Sequence, residues 1–190
     1  MLPNNRIGEM LVNSDMAMTS QASMAMIRKS HYSVDCYDAN GVLKWHDEFD
    51  NLVTYAGLSD SLQQHFKGSA YTALWYVGIT SGSVFAQSDT MASHPGWTEA
   101  TNYSQASRPV LTLGAVSSGI TPATVDNSAS KAVFSINGSG NVFGAFLTTG
   151  SVIGTSGSTG TLYGEGLLAS GMRSVQNLDS LSITLTLTAA

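Results

Sequence analysis

The chain has 190 residues, of which 43% are hydrophobic and only 11% charged, with a net charge of −5. That length suits one domain, and three Trp, seven Tyr and six Phe exclude disorder throughout. The charged fraction is less than half the roughly 25% of an average domain, and its sign leaves no basic footprint for nucleic acid. Polarity is carried by hydroxyls instead, with 27 Ser and 18 Thr. From residue 68 onward the only cations are Arg108, Lys131 and Arg173, few for a surface that must stay soluble alone. A single cysteine, Cys36, excludes an internal disulfide framework and any multi-cysteine metal site. No run of roughly 18 apolar residues exists to cross a membrane. The start, MLPNNRIGEMLVNSD, lacks the basic and apolar regions of a signal peptide, so a reducing cytosol is the expected site of synthesis.

Residues 1–30 hold six of the eight Met, including Met10, Met16, Met18, Met24 and Met26, with no clear period. Such a segment buries too little apolar surface to fold alone. It reads as a frayed terminus or as an extended arm whose adaptable Met side chains meet a partner. From His31 the pattern is β: Tyr32, Val34 and Cys36 alternate with Ser33, Asp35 and Tyr37. Asn40-Gly41 supplies the positive φ of a hairpin turn, and a return strand carries Leu43 and Trp45. Residues 55–67 form the one convincing helix, with Leu58, Leu62 and Phe66 at four-residue spacing and Gly68 as its stop.

After Gly68 everything reads as strands between turns. Tyr71, Ala73, Trp75, Val77 and Ile79 share one face; Val110 to Leu113 is a short strand after Pro109. Ala132, Phe134 and Ile136 lead into Asn137-Gly138-Ser139-Gly140, with Val142 to Leu147 expected to return as the second arm of a hairpin. Ten glycines between 137 and 171 mark tight turns and a long loop near 150–160. Last comes Leu181, Ile183, Leu185 and Leu187 against Ser182, Thr184, Thr186 and Thr188, a half-buried strand. The expected fold is all-β, a mainly antiparallel β-sandwich or jelly roll, or a small barrel, with one short helix. The expected organisation is an arm over 1–30 and a single domain over 31–190.

Catalytic motifs are scarce. Gly78-Ile79-Thr80-Ser81-Gly82 puts Thr where a nucleophile elbow needs Ser, and no phosphate-binding loop occurs. The four His fall at spacings unsuited to one metal centre, and adjacent His46, Asp47 and Glu48 would point to opposite faces of a strand. Glu48 and Asp50 share a face roughly 6–7 Å apart, a spacing compatible with glycoside chemistry. They read more simply, with Asp47, as solvated residues at a strand end. Cys36 reads as a buried structural thiol. No catalytic, cofactor-binding or metal-ligating residue is therefore assigned. His94-Pro95-Gly96-Trp97-Thr98-Glu99 reads as an ordered loop. Its Trp97 either caps the domain's own core or anchors a subunit contact, with Tyr103 and Arg108 close behind.

The succession NLVTYAGL (51–58), WYVGITSG (75–82), HPGWTE (94–99), Tyr103, Arg108, DNSASKAVFSI (126–136), GAFL (144–147), GTLYGEG (160–166) and DSLSITLTLT (179–188) resembles a family of tailed-bacteriophage virion proteins. These are small β-rich proteins that accompany the major capsid protein as capsid cement or decoration. The resemblance spans about residues 50–190. It implies a non-enzymatic structural protein on the virion capsid surface, assembled in the host cytoplasm, with no cofactor. Its implied partners are the major capsid protein and copies of itself, with no direct nucleic-acid or membrane contact. Met10, Met16, Met18, Met24, Met26, Trp97, Tyr103 and Arg108 are the candidate partner-contact residues. A tail, neck or fibre component is the alternative. A carbohydrate-binding β-sandwich, in which Trp97 and Tyr103 stack on sugar rings, is a second alternative.

Overall fold

The computed structural model describes residues 28–67, 74–117 and 122–189. In chain order these form β1 (Arg28–Tyr37), β2 (Leu43–Asp50), β3 (Leu52–Val53), α1 (Tyr55–Phe66), β4 (Tyr76–Thr80), β5 (Ala123–Asp126) and β6 (Ala132–Ser135). There follow β7 (Gly140–Val142), β8 (Gly144–Thr148), a 3-10 turn (Gly154–Gly157), β9 (Leu162–Leu167), β10 (Arg173–Val175) and β11 (Ser180–Ala189). All strand pairings are antiparallel, so the chain is all-β with one short helix.

The period-2 patterns place the strands as expected. Tyr32, Val34 and Cys36 on β1 face inward beside Leu181, Ile183 and Leu185 of β11, its partner along all ten residues. The β1–β2 hairpin turns where Gly41 takes a φ of +77°, and Asp38 Oδ1 accepts the backbone N–H groups of Asn40 and Val42 at 2.8 and 2.9 Å. The large sheet runs β2-β1-β11-β5, with β6 pairing the other end of β11. Between β5 and β6 the buried Asn127 side chain stands in for a strand. Its Nδ2 donates to Ile183 O at 3.2 Å and its Oδ1 accepts from Leu185 N at 2.7 Å.

A second sheet runs β3-β9-β8-β4, and Val77, Ile79, Ala145 and Leu147 from it join the large sheet's inner residues in one core. Its other face carries Phe146 and Leu162 into a smaller cluster with Met91 and Trp97. That second sheet therefore lies between two apolar layers, and the loops after β4 supply the outer one.

Two local expectations are corrected. The hairpin of 132–136 with 142–147 does not form: β6 pairs β11, β7 pairs β10, and β8 pairs β4 and β9. Asn102 accounts for the change, since its carbonyl accepts from Asn137 N and its Nδ2 donates to Gly138 O at 2.9 Å. Those bonds tie the turn to a distant segment and send the chain across to the other sheet. The short strand at 110–113 reduces to a single bridge from Val110 to Tyr76.

α1 starts where Thr54 Oγ1 accepts the Gly57 N–H at 3.0 Å. Gly57 lies against β9 so closely that a Cβ there would sit 2.2 Å from the Tyr163 carbonyl oxygen. With Gly57 fixing which side is seated, the Leu58, Leu62 and Phe66 stripe points outward and stays exposed. Of the expected strand beginning at Tyr71, β4 covers 76–80; residues 71–73 lie outside the described residues, as do Met10, Met16, Met18, Met24 and Met26.

Candidate functional site

The 94–108 segment, with the strands and the 150–158 loop around it, lines a cavity of about 560 Å³. Its walls include Met91, Trp97, Glu99, Arg108, Phe146 and Ile153. Trp97 is 3% exposed. His94 stacks on it at 3.9 Å between ring centroids, Phe146 lies tilted at 5.0 Å, and Phe85 meets its edge at 5.9 Å. Its indole N–H donates to Asp89 Oδ2 at 3.0 Å. The indole is thus packed inside the protein, with almost none of it open to solvent.

Arg108 is the largest fully buried side chain, and it ties the cavity walls together. Its Nε and Nη2 donate to the two oxygens of Glu99 at 2.8 Å each, a bidentate pair. Nη1 donates to the Gly150 carbonyl at 2.7 Å, and the guanidinium lies 5.2 Å above the Phe146 ring. Glu99 further accepts from Gly154 N at 2.6 Å and from Tyr103 Oη at 3.2 Å. Burial and the Glu99 charge push the Tyr103 phenol upward in pKa. Every strong donor and acceptor of this group is committed to holding the 94–108 and 150–157 segments together. Trp97, Tyr103 and Arg108 are therefore turned inward, with at most 4% exposure, which fits the reading of Trp97 as a cap on the domain's own core. They are fasteners of the loops because each has a polar end that finds its partner inside the chain.

Behind this layer lies a feature that the sequence analysis missed. Glu165 on β9 is fully buried, opposite Phe146 of β8, and neither carboxyl oxygen has a close hydrogen-bond partner. Burial, and then the neighbouring Asp89 carboxylate, push its pKa up to about 8. Asp89 itself accepts from Trp97 Nε1 and, at 3.3 Å, from Ala86 N. The signal was a lone acid between glycines, Gly164-Glu165-Gly166, in an otherwise apolar strand.

The acidic run on β2 divides between the two faces of the sheet. Asp47 turns inward, 4% exposed, and accepts from Ala169 N and Ser170 N at 2.9 and 3.1 Å, which corrects its reading as a solvated residue. Glu48 and Asp50 stay outside. There His31 contacts Asp50 at 2.9 Å and Glu48 at 3.8 Å, while His46 contacts Asp35 at 2.8 Å and Glu48 at 3.4 Å. Donating to the Asp35 carboxylate raises the His46 pKa. Lys131 closes the ladder on Asp35 at 3.3 Å. Such exposed pairs contribute little to stability individually. Cys36 is buried, and burial followed by the Asp179 charge pushes its thiol up to about 12, far from a reactive thiolate.

Among the described residues no group of three or more His, Cys, Asp or Glu is arranged to hold a metal, and no helix is long and apolar enough to cross a membrane. No protein-family model matches the chain, and no curated protein or solved structure matches it either.

Proposed function

We propose that the chain is a non-enzymatic virion structural protein of a tailed bacteriophage, a capsid cement or decoration protein that binds the major capsid protein lattice. The observation that carries the reading is the apolar end of the large sheet. There Val42, Leu43 and Leu178 stand 61%, 51% and 67% exposed around the β1–β2 turn and the start of β11. Leu178 holds a φ of +74°, the only described non-glycine residue in that region. Such a conformation costs a leucine on the order of 1–3 kcal/mol and is retained where the surroundings enforce it. Here the Leu178 N–H bonds to Ile136 O, and Asp179 holds the turn through Gln176 N at 2.8 Å and Lys44 Nζ at 2.5 Å. An apolar tip kept rigid suits burial against another protein surface.

The charge-poor composition supports the same reading, since a surface largely covered in an assembly needs little charge to stay soluble. The antiparallel, all-β architecture is compatible with such a module. At the cavity, the strong polar groups are engaged in holding loops, an arrangement suited to rigidity. A tail, neck or fibre component is the alternative, equally served by an apolar tip.

Immunogold labelling of particles from the encoding phage tests the reading. Gold spread over the head supports the cement role. Gold confined to neck, tail or fibres supports the alternative, and unlabelled particles overturn the virion reading.

A further inference from the structure

A strand at the end of a sheet presents a row of backbone N–H and C=O groups on its outer side, a template for another strand. Three such strands are covered by the chain itself. Along β4, Val77 N donates to Pro109 O at 2.9 Å and Ile79 O accepts from Ala100 N at 2.8 Å. Along β5, Asp126 O accepts from Gly114 N at 2.7 Å and Thr124 O from Ser117 N at 2.8 Å. Along β6, Ser135 O accepts from Ser104 N at 2.9 Å, while the Gln105 side chain bonds to Val133 O and Ser135 N.

β2 is different. Its register with β1, and the bond from Asn51 N to Ser30 O at 3.0 Å, turn the backbone groups of Trp45, Asp47 and Phe49 toward β1. Those of His46, Glu48 and Asp50 point to the other side. β9 takes that side only where it pairs Leu52 and Val53, and just past its end Leu168 N turns away to Phe143 O at 2.9 Å. The nearby Ala169 and Ser170 direct their N–H groups to the Asp47 carboxylate, which lies on the inner face. Among the described residues, no backbone group bonds to the outer side of His46 or Glu48.

The side chains of this edge are charged and open to solvent: His46, Glu48 and Asp50 are 45%, 55% and 72% exposed. Charge on an edge ordinarily discourages pairing with unrelated strands. The order of the signs allows one exception. Along β2 the basic residues come first, Lys44 and His46, and the acids after, Glu48 and Asp50. A second β2, antiparallel about a two-fold axis at Asp47, sets His46 of each copy opposite Glu48 of the other and brings Lys44, at the bulge, toward Asp50. His46 and Glu48 are both positions whose backbone faces the open side, so hydrogen-bonded pairing and opposite charge coincide, with Cα atoms about 5.5 Å apart. Sliding by two residues puts His46 or Glu48 opposite itself. Sliding by one sets open positions against closed ones, and in-register parallel pairing aligns each charge with its like.

We propose that two copies of the chain join edge to edge along β2, antiparallel about a two-fold axis at Asp47, so that their large sheets become one continuous sheet. Self-pairing of this kind does not depend on the virion reading.

Sedimentation velocity of the full chain over a wide concentration range is expected to show a reversible dimer. Glu48→Pro removes an N–H that faces the open side and leaves the bonds to β1 in place, a position where an edge strand tolerates Pro. It is expected to keep the parent circular dichroism and to weaken dimerisation by about tenfold or more, since the symmetry removes two intermolecular bonds. A chain that is monomeric at every concentration, or a folded Glu48→Pro variant that dimerises as tightly as the parent, would overturn the proposal. Should Glu48→Pro not fold, the register decides. Chains carrying His46→Cys are mixed with chains carrying Glu48→Cys under mild oxidation, and each mixed dimer keeps one His46–Glu48 pair. Opposed positions lie within reach of a disulfide, whereas the diagonal neighbours, roughly 7–8 Å apart, do not. The expected product is the mixed disulfide, in several-fold excess over either homodisulfide. Equal yields of the three, or no disulfide, would overturn the pairing.

Discussion

Replacing Arg108 by Met tests whether the buried pair with Glu99 holds the cavity loops together. Met keeps the length and apolar stem of the side chain but removes the guanidinium, leaving the Glu99 carboxylate buried. Removing one partner of a buried ion pair costs about 3–5 kcal/mol. Glu99 keeps two donors, Tyr103 Oη and Gly154 N, which places the loss toward the lower end of that range. The Gly150 carbonyl loses its 2.7 Å bond as well, worth about 1 kcal/mol. The expected total is about 4 kcal/mol, read as a shift in the urea midpoint followed by Trp fluorescence. The companion variant Glu99→Leu/Arg108→Met removes both charges, and such replacements are often close to neutral. It is expected to recover more than half of the loss. A single variant losing less than about 1 kcal/mol, or a double variant losing the sum of the two singles, would refute the reasoning.

Glu165 gives a pH dependence with a definite sign. Its folded pKa lies near 8, above the ordinary carboxyl value of 4.5, so the folded chain holds a proton that the unfolded chain releases. Stability therefore falls as pH rises from about 4.5 through 8 and levels off above; Glu165→Gln is expected to flatten that slope in urea titrations at pH 5, 7 and 9. Ile183→Asp puts an unpaired charge at a fully buried position of β11 and is expected to abolish the cooperative transition by circular dichroism; a folded, soluble variant would mean the core face of β11 is misassigned. Gly57→Ala should gain up to about 1 kcal/mol from helix propensity alone. With its new Cβ 2.2 Å from the Tyr163 carbonyl it is instead expected to lose about 1–3 kcal/mol in thermal unfolding, so a raised midpoint would mean α1 is not seated on β9.

What could be read from the residues alone followed from strict periodicity. β1 alternates from Tyr32 to Cys36 and β11 from Leu181 to Leu187, and their inner faces were assigned correctly because a period of two admits only one register with the core. α1 was recognisable from its four-residue spacing, but the direction of its stripe was not. That direction is set by Gly57, whose missing side chain lets the opposite side approach β9. The hairpin expected at 137–140 failed for a related reason. Asn-Gly favours a turn locally, yet Asn102, 35 positions upstream of Asn137, decides which strands the turn connects. Trp97, Tyr103 and Arg108 stood out as functional residue types. Their inward placement depends on Asp89 and Glu99, and pairings at such distances carry no local pattern. Glu165 escaped notice because a single acid in a strand has a meaning only once its burial is known.

Copy number in purified particles, measured by quantitative mass spectrometry relative to the major capsid protein, tests the proposed role most directly. A lattice-wide cement predicts hundreds of copies per particle. A dozen or fewer would move the chain to the neck, tail or fibres, and its absence from the particle would contradict the virion reading altogether.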